Sequence, residues 1–193
     1  MKNSRCGQAA ILSESDYAKI RKQIKNQKYK LLLDLAWYTG ERWGALVRLQ
    51  VSDVYGVDHQ PLECVNFQAR TRKASPDGKR ATRQVPTHPI LAESLAAYQP
   101  EIESTWLFPK RTGDEPISLR WADLIFRSAV EKAGLAAKGV STHSTRRTFI
   151  TNLARKGVSL ATIKKATGHS DLKVLSRYIE VTDDEVKAAI STL

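Results

Sequence analysis

Cysteine is scarce in this chain: Cys6 and Cys64 are its only cysteines among 193 residues, and no CxxC pair occurs. This scarcity excludes a disulfide framework and a cysteine-based zinc site, and it fits a reducing cytoplasm. The four histidines also lack the spacing of metal ligands. We therefore expect no metal and no cofactor.

The sequence also lacks long apolar runs. The run Leu31–Leu33 is far shorter than the roughly 20 residues that cross a bilayer. The N-terminal stretch MKNSRCGQAAIL has no apolar core like that of a secretory signal. We therefore expect a cytoplasmic protein with no membrane partner.

Acidic side chains are the minority among the charged ones. The chain has 31 lysine and arginine residues against 20 aspartate and glutamate residues, which gives a net charge of +11 at pH 7. This excess favours a polyanionic partner, with nucleic acid as the first candidate. Ribosomal-type or membrane-surface binding would fit the charge equally well, so charge does not choose among them.

The periodicity of apolar residues predicts a mainly α fold with a small antiparallel β-sheet, an α+β class. We expect a flexible tail over residues 1–12 and one domain over residues 13–193. Strands are predicted at Leu62–Ala69 and Thr82–Pro86, with further short strands at VSDVYG and at Leu107-Phe108. Helices are predicted over most of the remaining chain, including Lys28–Thr39, Leu119–Lys132, about 14 residues from Thr142, Leu160–Thr167, LKVLSRYIE after Asp171, and Asp183–Ile190.

The stretch Thr142–Arg147 (THSTRR) puts a histidine and two arginines into the first turn of a predicted helix. Counting back from Ile150 by helical spacing puts Arg146 and His143 on the stripe that should face inward. A guanidinium in that position requires an anion nearby. The residues alone leave two alternatives open: a buried carboxylate with a hydrogen-bonded core histidine, or a bound anionic ligand.

Other candidate residues lie at equally specific points of the chain. Arg42 follows the glycine stop of one helix and opens the next, where an anion is favoured. Lys73 lies in a basic hairpin, and Tyr178 follows His169 by nine residues. Each has a structural alternative: an ion pair for the arginine, a solvated tip for the hairpin, a helix cap for the histidine and a core position for the tyrosine.

Three segments resemble boxes of the tyrosine recombinases, the phage-integrase family. TGERWGALVRLQVSDV is similar to the first-arginine box, and RTRKAS followed by RQVPTHP is similar to the lysine hairpin. The segment from THSTRR to LSRYIEV is similar to the second box, with HxxR, then TGH, then the tyrosine. The similarity begins at about Ser13 and keeps the order and spacing of the boxes.

This resemblance implies the tyrosine recombinase catalytic-domain fold and a catalytic set. The implied set is Arg42, Lys73, His143, Arg146, His169 and Tyr178. The two arginines would hold the scissile phosphate, and the tyrosine would attack it to form a 3′-phosphotyrosine without ATP or metal. His143 would be the base, His169 would donate a hydrogen bond to the phosphate, and Lys73 would protonate the leaving oxygen. Arg72 and Lys79 are close rivals for the lysine's role.

The chain departs from the family pattern at three positions. Ala45 stands where an acidic residue is frequent, and Glu41 stands where an apolar residue is common. Arg147 stands where histidine or lysine is frequent. The alanine puts the positioning of Arg42 in question, and Glu41 or Asp53 could compensate.

The resemblance further implies double-stranded DNA as partner, a homotetramer on paired DNA sites, a monomer in free solution, and association with a prokaryotic nucleoid. Members usually carry a core-binding domain before the catalytic domain, and here no such N-terminal core-binding domain is expected. The chain is either a member made of the catalytic domain alone or part of a longer one. Alternative functions are type IB topoisomerase-like DNA relaxation and a catalytically idle DNA-binding regulator.

Overall fold

The computed structural model describes residues 8–71, 78, 81–100, 104–112, 114–169, 171–176, 178, 187 and 190–191. The chain forms two compact units, Met1–Phe149 and Ile150–Leu193. The helices are α1 (Glu14–Gln23), α2 (Gln27–Thr39), α3 (Trp43–Leu46), α4 (Pro89–Ala96), α5 (Leu119–Lys132), α6 (Thr142–Arg155), α7 (Leu160–Thr167) and α8 (Leu172–Ser176), and the strands are β1 (Cys64–Phe67) and β2 (Arg83–Pro86). None of the helices described is long and apolar enough to cross a membrane.

Helix α2 forms the centre of the first unit. Its residues Leu31 to Ala36 are all buried, as expected of a helix that is apolar on most faces. Helices α3, α4 and α5 pack against it. It begins at Asn26, whose side chain accepts the Lys28 N–H, and it ends at Gly40.

The one carboxylate inside this apolar run is paired by α1. Asp34 is 1% exposed and accepts bonds from the Tyr17 hydroxyl (2.6 Å) and from Arg21 Nε and Nη2 (2.7 and 2.8 Å). Burial and the neighbouring Asp34 charge raise the pKa of Tyr17 well above its ordinary value. The charge is therefore compensated by a bidentate guanidinium, which fixes α1 against α2.

Strands β1 and β2 form a two-stranded antiparallel sheet in which Val65 pairs with Val85 and Phe67 pairs with Arg83. These residues are buried, so the sheet has one inward face. Arg83 belongs to that face, and its guanidinium carbon lies 5.1 Å from the Phe67 ring centroid. Strand β2 thus places the guanidinium of Arg83 in the interior of the first unit.

The second unit contains the end of α6 together with α7 and α8. Its described core consists of Ile150, Ile163 and Leu175, each fully buried. Helix α7 begins at Ser159, whose hydroxyl accepts the Thr162 N–H, and it ends at Gly168 with φ 67°.

The structure confirms the mainly helical class and the small antiparallel sheet, but several local predictions were wrong. The stretch from Val51 to Asp53 is a 3₁₀ helix and not a strand, because the Asp53 carboxylate accepts the Gln50 N–H and caps a turn. Leu107 and Phe108 form no strand and lie between isolated bridges at Trp106 and Pro109.

Within the segment 1–12, which was predicted to be a flexible tail, the structure describes residues 8–12. The Leu12 N–H donates to Thr148 Oγ1 at 2.9 Å, and the Leu12 side chain is buried. The Ala10 N–H donates to the Gly139 carbonyl at 3.1 Å. An apolar side chain that finds a core position orders even a terminal segment. Most of the helix predicted at Asp183–Ile190 lies outside the described residues.

Candidate active site

The first unit holds a guanidinium at the junction of α2 and α3. Arg146 is 5% exposed, and its Nη1 donates to the Gly40 carbonyl at 2.9 Å. The same nitrogen lies 3.7 Å from Glu41 Oε1. The carboxylate of the first alternative is therefore present, although His143 is exposed and not a core histidine, and this carboxylate is one of the three departures from the family pattern.

Glu41 is itself 1% exposed and serves more than one cation. Its Oε2 accepts from Arg83 Nη2 at 2.5 Å, and its Oε1 accepts the Arg42 N–H at 2.8 Å. Burial alone would raise the pKa of Glu41, but the charges of Arg83 and Arg146 and the Arg42 N–H outweigh burial and lower it. The group is thus an anion at neutral pH, and its single charge cannot neutralise both guanidinium groups.

Arg42 is half-buried at the N-cap position of α3. Among the residues that the structure describes, its guanidinium has no ion-pair partner. Glu41 is engaged as above, and Asp53 accepts from the Gln50 N–H and from Gln68 Nε2 at 2.9 Å. Helix α3 is only 4 residues long, so the guanidinium itself, rather than a helix terminus, is the charge available to an anion.

The THSTRR stretch opens α6, as predicted, and that helix has the expected 14 residues. Ser141 and Ser144 cap its start, since the Ser141 N–H donates to Ser144 Oγ at 3.0 Å. His143 is exposed in the first turn, in contrast to the inward position predicted for it, because that turn buries Ser144 and Thr145 instead. Arg147 donates from Nη1 to the Ala9 carbonyl at 2.8 Å and so holds the N-terminal segment.

His169 and Tyr178 are neighbours in the second unit. Their ring centroids are 6.3 Å apart with an interplanar angle of 52°. Tyr178 is half-buried in a turn after α8, which ends at Ser176 and is shorter than predicted. The Tyr178 N–H donates to the Leu175 carbonyl at 2.9 Å, and its carbonyl accepts from Thr151 Oγ1 at 3.4 Å.

The Thr167 hydroxyl lies between a backbone carbonyl and the His169 ring. It donates to the Ile163 carbonyl at 2.6 Å. The same hydroxyl oxygen lies 2.6 Å from His169 Nδ1, and the direction of that bond depends on the tautomer of the ring. This contact orients the imidazole.

Lys73 and its rivals Arg72 and Lys79 lie outside the described residues, so the predicted general acid has no structural description. Sequence reasoning did not single out Arg83, although alternation along β2 would have put it on the inward face. Within the described parts of the chain, no group of three or more His, Cys, Asp or Glu side chains could hold a metal ion.

Comparison with known proteins gives the family. The model of the phage integrase family matches residues 10–185. The tyrosine recombinase XerD of Brucella suis biovar 1 (strain 1330) is 26% identical over 182 residues, which cover 94% of this chain and 57% of that protein. The chain thus spans a little over half of that curated relative.

Two solved structures share the fold. The catalytic domain of bacteriophage HP1 integrase has a TM-score of 0.63 and 22% identity, with 95% of each chain covered. The XerH site-specific recombinase, solved bound to its difH substrate before cleavage, has a TM-score of 0.71 and 19% identity over 94% of this chain and 53% of that one. From its matched residues and its fold, the chain belongs to the phage integrase family.

Proposed function

We propose that this chain cleaves and rejoins double-stranded DNA as a site-specific recombinase, with Tyr178 as the nucleophile. The observation that carries the proposal is that Tyr178 and His169, which the family boxes give as nucleophile and phosphate contact, lie side by side with ring centroids 6.3 Å apart in a chain of this family. The buried Arg146 and the half-buried Arg42 support it, because guanidinium groups suit the two non-bridging oxygens of a phosphodiester. The DNA-bound state of XerH supports DNA as the partner.

The proposed step exchanges one ester bond for another. The Tyr178 oxygen attacks phosphorus in line, the new O–P bond forms, and the bond from phosphorus to the 5′-oxygen of the next nucleotide breaks. His143, exposed at the start of α6, takes the phenolic proton, and Lys73 gives a proton to the leaving oxygen. Because the phosphotyrosine ester conserves the bond energy, rejoining needs no ATP.

The arginines carry the electrostatic part of the proposal. Charge builds up on the non-bridging oxygens in the pentacoordinate transition state, and Arg42 and Arg146 would stabilise it. His169, oriented by its contact with Thr167, would add a hydrogen bond to the phosphate. We propose that these cations supply the charge without a metal, so cleavage should persist in EDTA.

The assembly is part of the same proposal. Strand exchange between two duplexes needs four protomers, so we propose a homotetramer on paired sites that assembles from monomers when DNA binds. The net charge of +11 supports DNA binding by each protomer.

Covalent capture tests the nucleophile even though the target site is not defined. The protein is incubated with a pool of nicked suicide duplexes that carry a randomised segment, and adducts stable in detergent are isolated and sequenced. The parent chain should yield adducts, and Tyr178→Phe should bind the pool equally well and yield none. Adducts that survive in Tyr178→Phe would remove Tyr178 from this role.

The same experiment separates the alternatives. A covalent adduct excludes a catalytically idle DNA-binding regulator. Holliday junctions built from the captured sites then distinguish the other two functions, because a recombinase resolves them, whereas an enzyme that only relaxes supercoils like a type IB topoisomerase leaves them intact.

A further inference from the structure

We propose that Glu41 is a positioning residue that sets the orientation of Arg146 for the reaction and ties it to strand β2 through Arg83. This inference rests on the proposed function. The two oxygens of the Glu41 carboxylate contact different arginines. Oε1 lies 3.7 Å from Arg146 Nη1, and Oε2 accepts from Arg83 Nη2 at 2.5 Å.

The carboxylate is held in place from its own main chain. The Glu41 N–H donates to Thr39 Oγ1 at 3.2 Å, and that hydroxyl donates to the Leu35 carbonyl at 2.6 Å. Its Oε1 also accepts the Arg42 N–H at 2.8 Å. Because Glu41 is bonded both at its N–H and at Oε1, its charge is a rigid reference point for whatever it contacts.

Arg146 is oriented by two consecutive residues. Its Nη1 meets the Gly40 carbonyl at 2.9 Å and the Glu41 carboxylate on the next residue. The turn between α2 and α3 thus contacts the guanidinium at Nη1 through a hydrogen bond and an ion pair. A guanidinium that holds a reacting phosphate must keep its orientation, since a misplacement of about 1 Å can lower a rate roughly 10²-fold.

Arg83 gives the carboxylate its second connection. This residue is 7% exposed, lies over Phe67, and follows the basic segment 70–80 in the chain. One carboxylate thus joins the arginine of α6 to the strand that follows the segment containing Lys73. Glutamine at position 41 would keep the shape, remove the charge, and turn an NH₂ group toward one of the two guanidinium donors.

The test measures the single-turnover rate of adduct formation and the affinity on one captured suicide duplex. Glu41→Gln should lower the rate roughly 10²-fold at saturating protein while the DNA dissociation constant changes less than about threefold. Asp34→Asn is the matched control, because Asp34 is equally buried at 1% exposure and pairs with Arg21 by two bonds. The control should lose stability but keep the parental rate when folded.

A double variant separates positioning from folding. Glu41→Leu with Arg83→Met replaces a buried ion pair by apolar side chains, which often restores stability. We expect its melting temperature to exceed that of Glu41→Leu alone while its cleavage rate stays low. A parental rate in Glu41→Gln, or equal loss of rate in Glu41→Gln and Asp34→Asn, would overturn the proposal.

A second measurement does not depend on cleavage. In the ¹⁵N-labelled protein without DNA, Glu41→Gln should shift the Nε–H signals of Arg83 and Arg146, whereas Asp34→Asn should shift that of Arg21. An unchanged Arg146 signal in Glu41→Gln would overturn the positioning role. If the parent chain forms no adduct on any duplex, the proposed function fails, and these signals still decide whether Glu41 orients Arg146.

Discussion

At the scale of single residues, Gly40 is under two constraints. Its φ is 59°, in the left-handed region that favours glycine, and the Phe149 ring occupies the space next to its Cα. A Cβ on this residue would lie 2.6 Å from Phe149 Cγ. Because the Gly40 carbonyl also accepts from Arg146, the geometry of the turn and that of the guanidinium depend on the same residue.

Gly40→Ala should therefore destabilise the protein more than an ordinary glycine replacement. The left-handed backbone costs about 1–2 kcal/mol, and overpacking against Phe149 adds roughly 1–3 kcal/mol. The matched control is Gly134→Ala, because Gly134 has φ 74° but nothing within 4 Å of an added Cβ. Urea denaturation gives both free energies of unfolding, and equal losses in the two variants would show that Phe149 yields without cost.

At the scale of elements, helix α1 is fixed by its first turn. Ser13 and Asp16 form a capping box, and the Asp16 carboxylate also pairs with Lys138 in the 3₁₀ helix after α5. Burial raises the pKa of Asp16, but Lys138 and the Ser13 N–H and hydroxyl outweigh burial and lower it. A carboxyl whose pKa is depressed on folding stabilises the fold above its unfolded pKa and stops doing so as the pH falls through its folded pKa.

Asp16→Asn should reduce the acid sensitivity of the fold. In the parent, the stability contributed by the ionised Asp16 carboxylate should disappear below about pH 4, the ordinary range of an aspartate. The variant lacks that contribution at every pH. The urea midpoint of unfolding is measured at about pH 7 and at about pH 3, and its decrease between the two should be smaller in the variant than in the parent. Asp123→Asn, which removes an exposed pair with Arg127 within α5, should keep the parental difference. An unchanged difference in Asp16→Asn would contradict this account.

The elements also show what the sequence could predict. Helix α5 at Leu119–Lys132 and helix α7 at Leu160–Thr167 begin and end where predicted, because serine caps and glycine stops act locally. The 3₁₀ helix at Val51–Asp53 was missed because the Asp53 carboxylate takes the Gln50 N–H, which a strand would have bonded to a neighbouring strand. The Glu41–Arg83 pair was missed because its partners are far apart in sequence, and no local periodicity reports such a contact.

The family boxes, by contrast, identified the candidate site residues directly from the sequence. The fold and family predictions are confirmed, while the roles of the individual residues stay predictions. The contacts of Arg83 and Arg146 with one carboxylate could not be predicted, since the motif gives residue types and spacing and not their hydrogen bonds.

At the scale of the whole molecule, charge is the dominant property. The net charge of +11 exceeds what solubility requires and fits a polyanionic surface. Part of it is internal, because the buried Arg83 and Arg146 share the single negative charge of Glu41. The remaining surface charge is what a DNA backbone would meet.

Binding to a duplex of arbitrary sequence should depend steeply on salt. If the chain neutralises about six phosphates, the logarithm of the association constant should fall against that of the salt concentration with a slope of about −5. Fluorescence anisotropy with a labelled duplex at several salt concentrations measures this slope. A slope near zero would show that the positive charge serves a partner other than a polyanion.

The shared carboxylate has a consequence for how this gene can vary. A single codon change that removes Glu41 leaves two cations, Arg83 and Arg146, deprived of a buried counter-ion, so we expect it to be selected against on its own. A substitution at position 41 should therefore be tolerated mainly together with a substitution of Arg83, because that second change removes one of the two cations left without a counter-ion. We therefore expect these two sites, 42 positions apart, to be inherited as a unit.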